Sequence, residues 1–141
     1  MYLDSAYIAK FYLNEPDSWR VRAVIERADT LVTSALAVAE VSCTFHRKVR
    51  ERMIAESHYR ELLAAFNEHA EAGIWSLAPI TERLLSRIAA AMATLPSTVY
   101  LRSGDALHLT TAMDLAEREI WSNDRHLLAA APYFGLTGRS V

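Results

Sequence analysis

The chain has 141 residues, of which 52% are hydrophobic and 23% charged, with a formal net charge of −2. That is enough for one domain, 1–141, with a sizeable core, in an ordinary soluble composition. Near-neutral charge excludes a global attraction to nucleic acid, so any such site must be a local basic patch or a cation held by carboxylates.

Met1 to Leu3 reads as a short buried strand ending in Asp4, and the helical pattern Ala6, Tyr7, Ile8, Phe11, Tyr12 follows at once. That junction is the opening of an α/β sheet, in which ligands bind outside the carboxyl ends of the strands. Asp4 and Ser5 equally have the chemistry of helix N-caps. Both readings stand at this point. Asn14 to Ser18 is a turn, and Pro16 is suited to open a second helix, apolar at Trp19, Val21, Val24 and Ile25, to about Ala28.

Thr30 to Ser34 predicts the second strand, with Ser34 able to cap a long helix from Ala35 to about Arg52. Val38, Val41, Phe45 and Val49 form its core stripe. Cys43, the only cysteine, excludes an intramolecular disulfide and reads as a small buried residue beside Val41 and Phe45. Glu40 lies off the stripe. Its neighbours three and four positions away (Leu36, Ala37, Cys43, Thr44) include no base, which favours a functional carboxylate over a solubilising one. His46, Arg47, Lys48, Arg50 and Arg52 crowd the last turns, where the helix dipole favours cations. A phosphate-facing role for one or two of them is the second reading.

A helix from Ile54 to Ala72, apolar at Leu62, Leu63, Phe66 and Ala70, completes a helical hairpin and is stopped by Gly73. Ile74 to Leu77 predicts a third strand, Pro79 to Leu95 an amphipathic helix, and Pro96 its exit. Arg102 to Asp105 starts a helix to about Arg118, with Leu109, Ala112, Met113 and Ala116 as its core face. Glu119 to Ser122 is a fourth strand, Asn123-Asp124 opens the helix Arg125 to Ala131, and a last strand falls around Phe134 to Gly138. This alternation predicts an α/β fold: a central, mostly parallel sheet of four to five strands with helices on both faces. No apolar run approaches the roughly 18 residues of a membrane span and no secretory signal is visible, so a cytoplasmic protein without membrane association is expected.

A helix joining two parallel strands starts at the sheet's carboxyl edge. Asp4, Glu40, Asp105 and Asp124, from distant parts of the chain, should therefore meet at one edge. Asp105 and Asp124 also suit a first helical turn and a cap. Clustered carboxylates repel one another unless a cation neutralises them, and oxygen-only ligation selects Mg²⁺ or Mn²⁺. Ser5, Ser122 and Asn123 are supporting oxygen donors at the same edge. Such a site points to metal-dependent phosphodiester hydrolysis. Lys10, Arg102 and Arg125 lie beside the acids in sequence and could contact phosphate, though solvated charge is the commoner role. His108 shares a helix face with Asp105; it could touch substrate, or be a hydrogen-bonded structural histidine.

Tyr2-Leu-Asp-Ser-Ala6 with Lys10-Phe-Tyr12, Ala39-Glu-Val41, Asp105-Ala-Leu-His-Leu109, and Ser122-Asn-Asp124 with Leu127 together resemble the PIN-domain ribonucleases of the VapC toxin type. The segments span nearly the whole chain and are specific as a set. The resemblance implies a three-layer PIN-like fold and a metal site at Asp4, Glu40, Asp105 and Asp124. It also implies Mg²⁺- or Mn²⁺-dependent cleavage of RNA, often a tRNA or rRNA loop, a homodimer, and a cognate VapB-type antitoxin. Thr110 departs from the family's usual small apolar residue there. A phosphoacceptor domain is set aside: residue six is alanine where a second Asp would be needed, and no late lysine exists. The alternative is a PIN-fold RNA- or protein-binding module without catalysis.

Overall fold

The computed structural model describes all of residues 1–141. Five strands, β1 (Tyr2–Leu3), β2 (Val32–Ser34), β3 (Ser76–Ala78), β4 (Glu119–Trp121) and β5 (Thr137–Arg139), form one sheet in the order β3-β2-β1-β4-β5. Every pairing is parallel, with Tyr2 opposite both Val32 and Ile120. The helices are α1 (Ser5–Tyr12), α2 (Ser18–Ile25), α3 (Leu36–Arg50), α4 (Glu56–Glu71), α5 (Glu82–Thr94), α6 (Ser103–Asp114) and α7 (Arg125–Ala130); a 3₁₀ turn, Ala131–Phe134, follows the last. No helix is long and apolar enough to cross a membrane.

Alternation along β1 divides the interior. Successive strand residues point to opposite faces, so Leu3 joins a cluster with Tyr7, Val41, Phe45, Phe66 and Trp75 under α1 to α4. Tyr2 joins Leu109, Ala112, Ile120, Leu127 and Phe134 on the other face. Helices thus cover both faces, giving the expected three layers. In the first cluster the indole N–H of Trp75 donates to the Tyr12 hydroxyl at 2.6 Å, which lies 2.7 Å from Nδ1 of His69. Burial around that hydroxyl pushes its pKa up to about 12. On the second face a side chain at Gly138 would meet Leu128 Cδ2 at 2.9 Å. Glycine there lets β5 close against α7.

Four local expectations are corrected. Pro16 does not open α2, which begins at Ser18. The Asp17 carboxylate is drawn to Lys10, and the Ser18 hydroxyl accepts the Glu15 N–H at 3.0 Å, so these residues make a turn instead. The buried line of α3 is Ala37, Val41, Phe45, while Val38 is 39% exposed. Cys43 is exposed rather than buried. With Val41 and Phe45 facing inward, a residue two positions from each lies about 200° around the helix. Finally, α6 ends at Asp114, and Ala116, expected in the core, is an exposed residue with φ of 56°.

Candidate active site at the carboxyl edge

Consecutive connections run outward from β1 to β2 and β3, then return to β4 on the other side. The two halves part between β1 and β4, and a crevice at such a reversal is where α/β sheets bind ligands. The Asp4 N–H donates to the Trp121 carbonyl at 3.0 Å, continuing the ladder to the edge of that crevice. Its side chain is 5% exposed. Oδ1 accepts the Tyr7 N–H at 2.8 Å and caps α1, while Oδ2 accepts the Ser122 hydroxyl at 2.5 Å. Ser122, fully buried, also accepts the Asp124 N–H at 2.9 Å. One hydroxyl therefore fixes two of the four acids relative to each other.

Glu40 sits in the second turn of α3. Its Oε2 accepts from the Ser5 hydroxyl at 2.5 Å and from His108 Nε2 at 2.9 Å. Because an ionised carboxylate only accepts, Nε2 donates to Glu40, while the Tyr2 hydroxyl lies 3.0 Å from Nδ1 on the other side of the ring. Tyr2 and His108 are both buried. His108 is thus a hydrogen-bonded core histidine that also borders the site. Gly104 allows this arrangement, since a Cβ there would stand 2.9 Å from Glu40 Oε1.

The other two acids share a base. Arg102 Nε donates to Asp105 Oδ2 at 2.9 Å, and its Nη2 forms an ion pair with Asp124. Asp124 Oδ1 caps α7, accepting from the N–H groups of His126 at 2.8 Å and Leu127 at 3.3 Å. All four carboxylates line one cleft of about 380 Å³, together with Ser5, His108, Arg102, Cys43, Thr44 and Arg47.

Electrostatics differ around the cleft. Burial raises the pKa of Asp4 above the ordinary carboxylate value, against the lowering effect of Ser122 and the Tyr7 N–H. Burial acts on Glu40 too, but hydrogen bonds from His108 and Ser5, with the charge of Arg102, outweigh it and hold the group low. Asp124 is likewise held low: burial is outweighed by two backbone N–H groups and Arg102. Asp105 in turn raises the pKa of Arg102.

Three residues expected at the site lie elsewhere. Lys10 is paired with Asp17. The Asn123 amide donates to Asp17 at 3.4 Å, and its oxygen accepts from Ser140 at 2.7 Å. Arg125, exposed, lies against the His126 ring with Nε 3.3 Å from its Nε2, and is not among the residues lining the cleft. Conversely, Tyr2 and Gly104 border the site without having been singled out for it, and Arg47, one of the helix-end cations with a phosphate-facing second reading, lines the cleft. Arg47 had a legible signal, seven residues after Glu40 on the same helix face. Gly104 and Tyr2 had none, because their roles depend on partners distant in sequence.

An all-parallel sheet, covered on both faces and carrying an acid-lined cleft at its reversal point, defines the class as an α/β protein with a site built by strand ends. The PIN domain model matches residues 1–132, and the chain belongs to the PIN domain family. PIN domains are generally nucleases and typically depend on divalent metal. The last residues, beyond that match, supply β5 of the same sheet. A chain of VapBC2 from Rickettsia felis, crystallised bound to a DNA fragment from its promoter, is similar with a TM-score of 0.69 at 11% identity, over 99% of this chain and 96% of that one. A chain of FitAcB from Neisseria gonorrhoeae is similar with a TM-score of 0.69 at 15% identity, over 97% of this chain and 94% of that one. At such identities the likeness is one of fold. No curated protein matches the sequence.

Proposed function

We propose that the chain is a divalent-metal-dependent endoribonuclease and the toxin of a toxin–antitoxin pair, with Asp4, Glu40, Asp105 and Asp124 holding Mg²⁺ or Mn²⁺. One observation carries the reading. Asp4 is a buried carboxylate at the end of the central strand that makes no ion pair, and it faces a cleft shared with three more carboxylates. Buried charges are ordinarily paired or metal-bound. The donors offered are oxygens, which suit Mg²⁺ or Mn²⁺ over zinc.

As they stand, no three His, Cys, Asp or Glu side chains are close enough to hold an ion. Arg102 supplies the positive charge between Asp105 and Asp124 instead, and its side chain is 56% exposed, so it is free to swing aside. The donor chemistry therefore fits, with Arg102 displaced.

A divalent ion in such a site neutralises the phosphodiester and acidifies the attacking water. The chain's own residues do the rest. Ser122 orients Asp4, and Ser5 and His108 hold one oxygen of Glu40, leaving Oε1 free of side-chain donors to accept a hydrogen bond from water. Arg102, once displaced from the acids, remains at the rim as a guanidinium for phosphate.

The RNA substrate, a tRNA or rRNA loop, and a homodimer with a VapB-type antitoxin in the cytoplasm, are part of this proposal. They rest on the motif resemblance, with the shared fold of the VapBC2 and FitAcB chains as support. The test is digestion of total RNA by antitoxin-free protein with Mg²⁺, with Mn²⁺ and with chelator, beside Asp4→Asn. Discrete, metal-dependent cuts that disappear in the variant are expected. Absence of both cleavage and divalent-ion binding would sink the catalytic reading and leave the binding module.

A further inference from the structure

A second cavity lies next to the acidic cleft. It measures about 530 Å³ and runs along the outer side of α3 toward α4. Cys43, Thr44 and Arg47 line both spaces, so the two form one continuous surface over a shared ridge. Beyond that ridge the lining changes sign. Arg47, Arg50 and His46 face it, with the Tyr59 ring 6.2 Å from His46 in an edge-on pair, and no carboxylate lines it.

Helical spacing makes this a track. Glu40, Cys43, Arg47 and Arg50 follow at three- and four-residue steps on one side of α3. Ten residues of α-helix from Glu40 to Arg50 rise about 15 Å. Both arginines are available to a ligand. Arg47 meets Glu51 only at 4.0 Å between half-exposed side chains, and Arg50 makes no ion pair. Lys48, on another side of the helix, is consumed by Glu15 at 2.5 Å. Cations at a helix C-terminus are ordinarily explained by the dipole. That does not account for two that converge with a tyrosine and a histidine on a groove opening into the acids.

We infer that this groove carries single-stranded RNA leading into the cleft, with Arg47 and Arg50 on successive phosphates and the Tyr59–His46 pair as a platform for an unpaired base. The inference deepens the ribonuclease reading and rests on it for the direction of the strand. Basic grooves edged with aromatic rings suit single strands because every base has a π-face. An acidic protein segment would use the arginines and leave the ring platform idle.

The experiment measures fluorescence anisotropy of a labelled oligouridine with the full chain, in chelator, across a potassium chloride series. Arg47→Gln/Arg50→Gln should weaken binding by roughly tenfold or more and lower the salt slope by about 1.4, or about 0.7 per phosphate on a single strand. Tyr59→Leu, which keeps an apolar group against the core, should weaken it roughly fivefold, the low end for one stacked base. Unchanged affinity and slope in the arginine pair overturns the track, and unchanged affinity in Tyr59→Leu overturns the platform. Intact RNA binding together with lost binding of a labelled polyglutamate peptide overturns both in favour of a face that docks acidic protein segments. Chelator keeps cleavage out of the readout. Arginine-dependent binding by a protein that cuts nothing with either metal leaves the track and removes the nuclease. Unchanged kcat/KM in the arginine pair does the reverse.

Discussion

The two sides of the acidic cleft are built on different principles. On the inner side, Asp4 and Glu40 are held by buried hydrogen-bond donors, Ser122 and the Tyr7 N–H for one, Ser5 and His108 for the other. On the outer side, Asp105 and Asp124 are bridged by one exposed arginine. Hydroxyl and backbone N–H donors fix a carboxylate's position without cancelling its charge. A guanidinium cancels charge but sits on a flexible stem. The inner wall is therefore preorganised for a cation, and the outer wall is adjustable.

The largest effect should come from the inner wall. Asp4→Asn retains a residue able to cap α1, so the fold should survive while RNA cleavage falls more than about 100-fold, beyond the usual loss for supporting groups. Circular dichroism beside the cleavage assay separates the two. Removing the buried imidazole with His108→Ala takes the partner of the Tyr2 hydroxyl and one of the two side-chain donors to Glu40, which keeps Ser5. The expected loss is about 1–3 kcal/mol for the hydroxyl left unpaired, read from urea midpoints, with activity lowered roughly 10- to 100-fold.

Gly104→Ala sharpens the comparison by moving Glu40 alone. The added methyl would meet Oε1 at 2.9 Å, the free end of a flexible side chain. Activity should drop roughly tenfold, while stability holds or rises by up to about 1 kcal/mol from helix propensity. A parallel loss of melting temperature would refute this account. On the outer wall, Arg102→Gln should change stability by no more than about 1 kcal/mol. Isothermal titration should show tighter Mg²⁺ binding than in the unsubstituted chain; weaker binding would mean the arginine is no competitor for the ion.

The smallest effect is in pH dependence, and its sign differs between the acids. The folded-state pKa of Asp4 is raised, so in chelator its contribution to stability falls as pH rises through that value. Glu40 and Asp124 are lowered; their contribution is full above the unfolded values and is lost as pH falls through the folded ones. Asp4→Asn should therefore gain stability relative to its parent as pH rises toward neutrality, measured by denaturant midpoints at each pH. A constant difference would show that Asp4 carries no such penalty.

Much of this was legible in the sequence because it is local. Asp4, Glu40, Asp105 and Asp124 each stand at a junction that propensity and periodicity reveal, and parallel topology then brings their elements to one edge. Rotation of a helix about its axis was less legible. Val38 and Ala37 both fit an apolar stripe, and contact with α1 decided for Ala37, turning Cys43 outward. Supporting residues fared worst. Asn123 stands beside Asp124 in sequence yet turns to Ser140, while Tyr2 and Gly104 reach the acids only through distant partners. Adjacency in sequence also misplaced Lys10 and Arg125, whose long stems found nearer company.

Cys43, exposed on the ridge between the acidic cleft and the basic groove, is the chain's only thiol. Maleimide chemistry should therefore attach a single fluorophore at a known position without prior removal of other cysteines. Light emitted from that spot would report arrivals on either side of the ridge, which makes the native chain its own sensor.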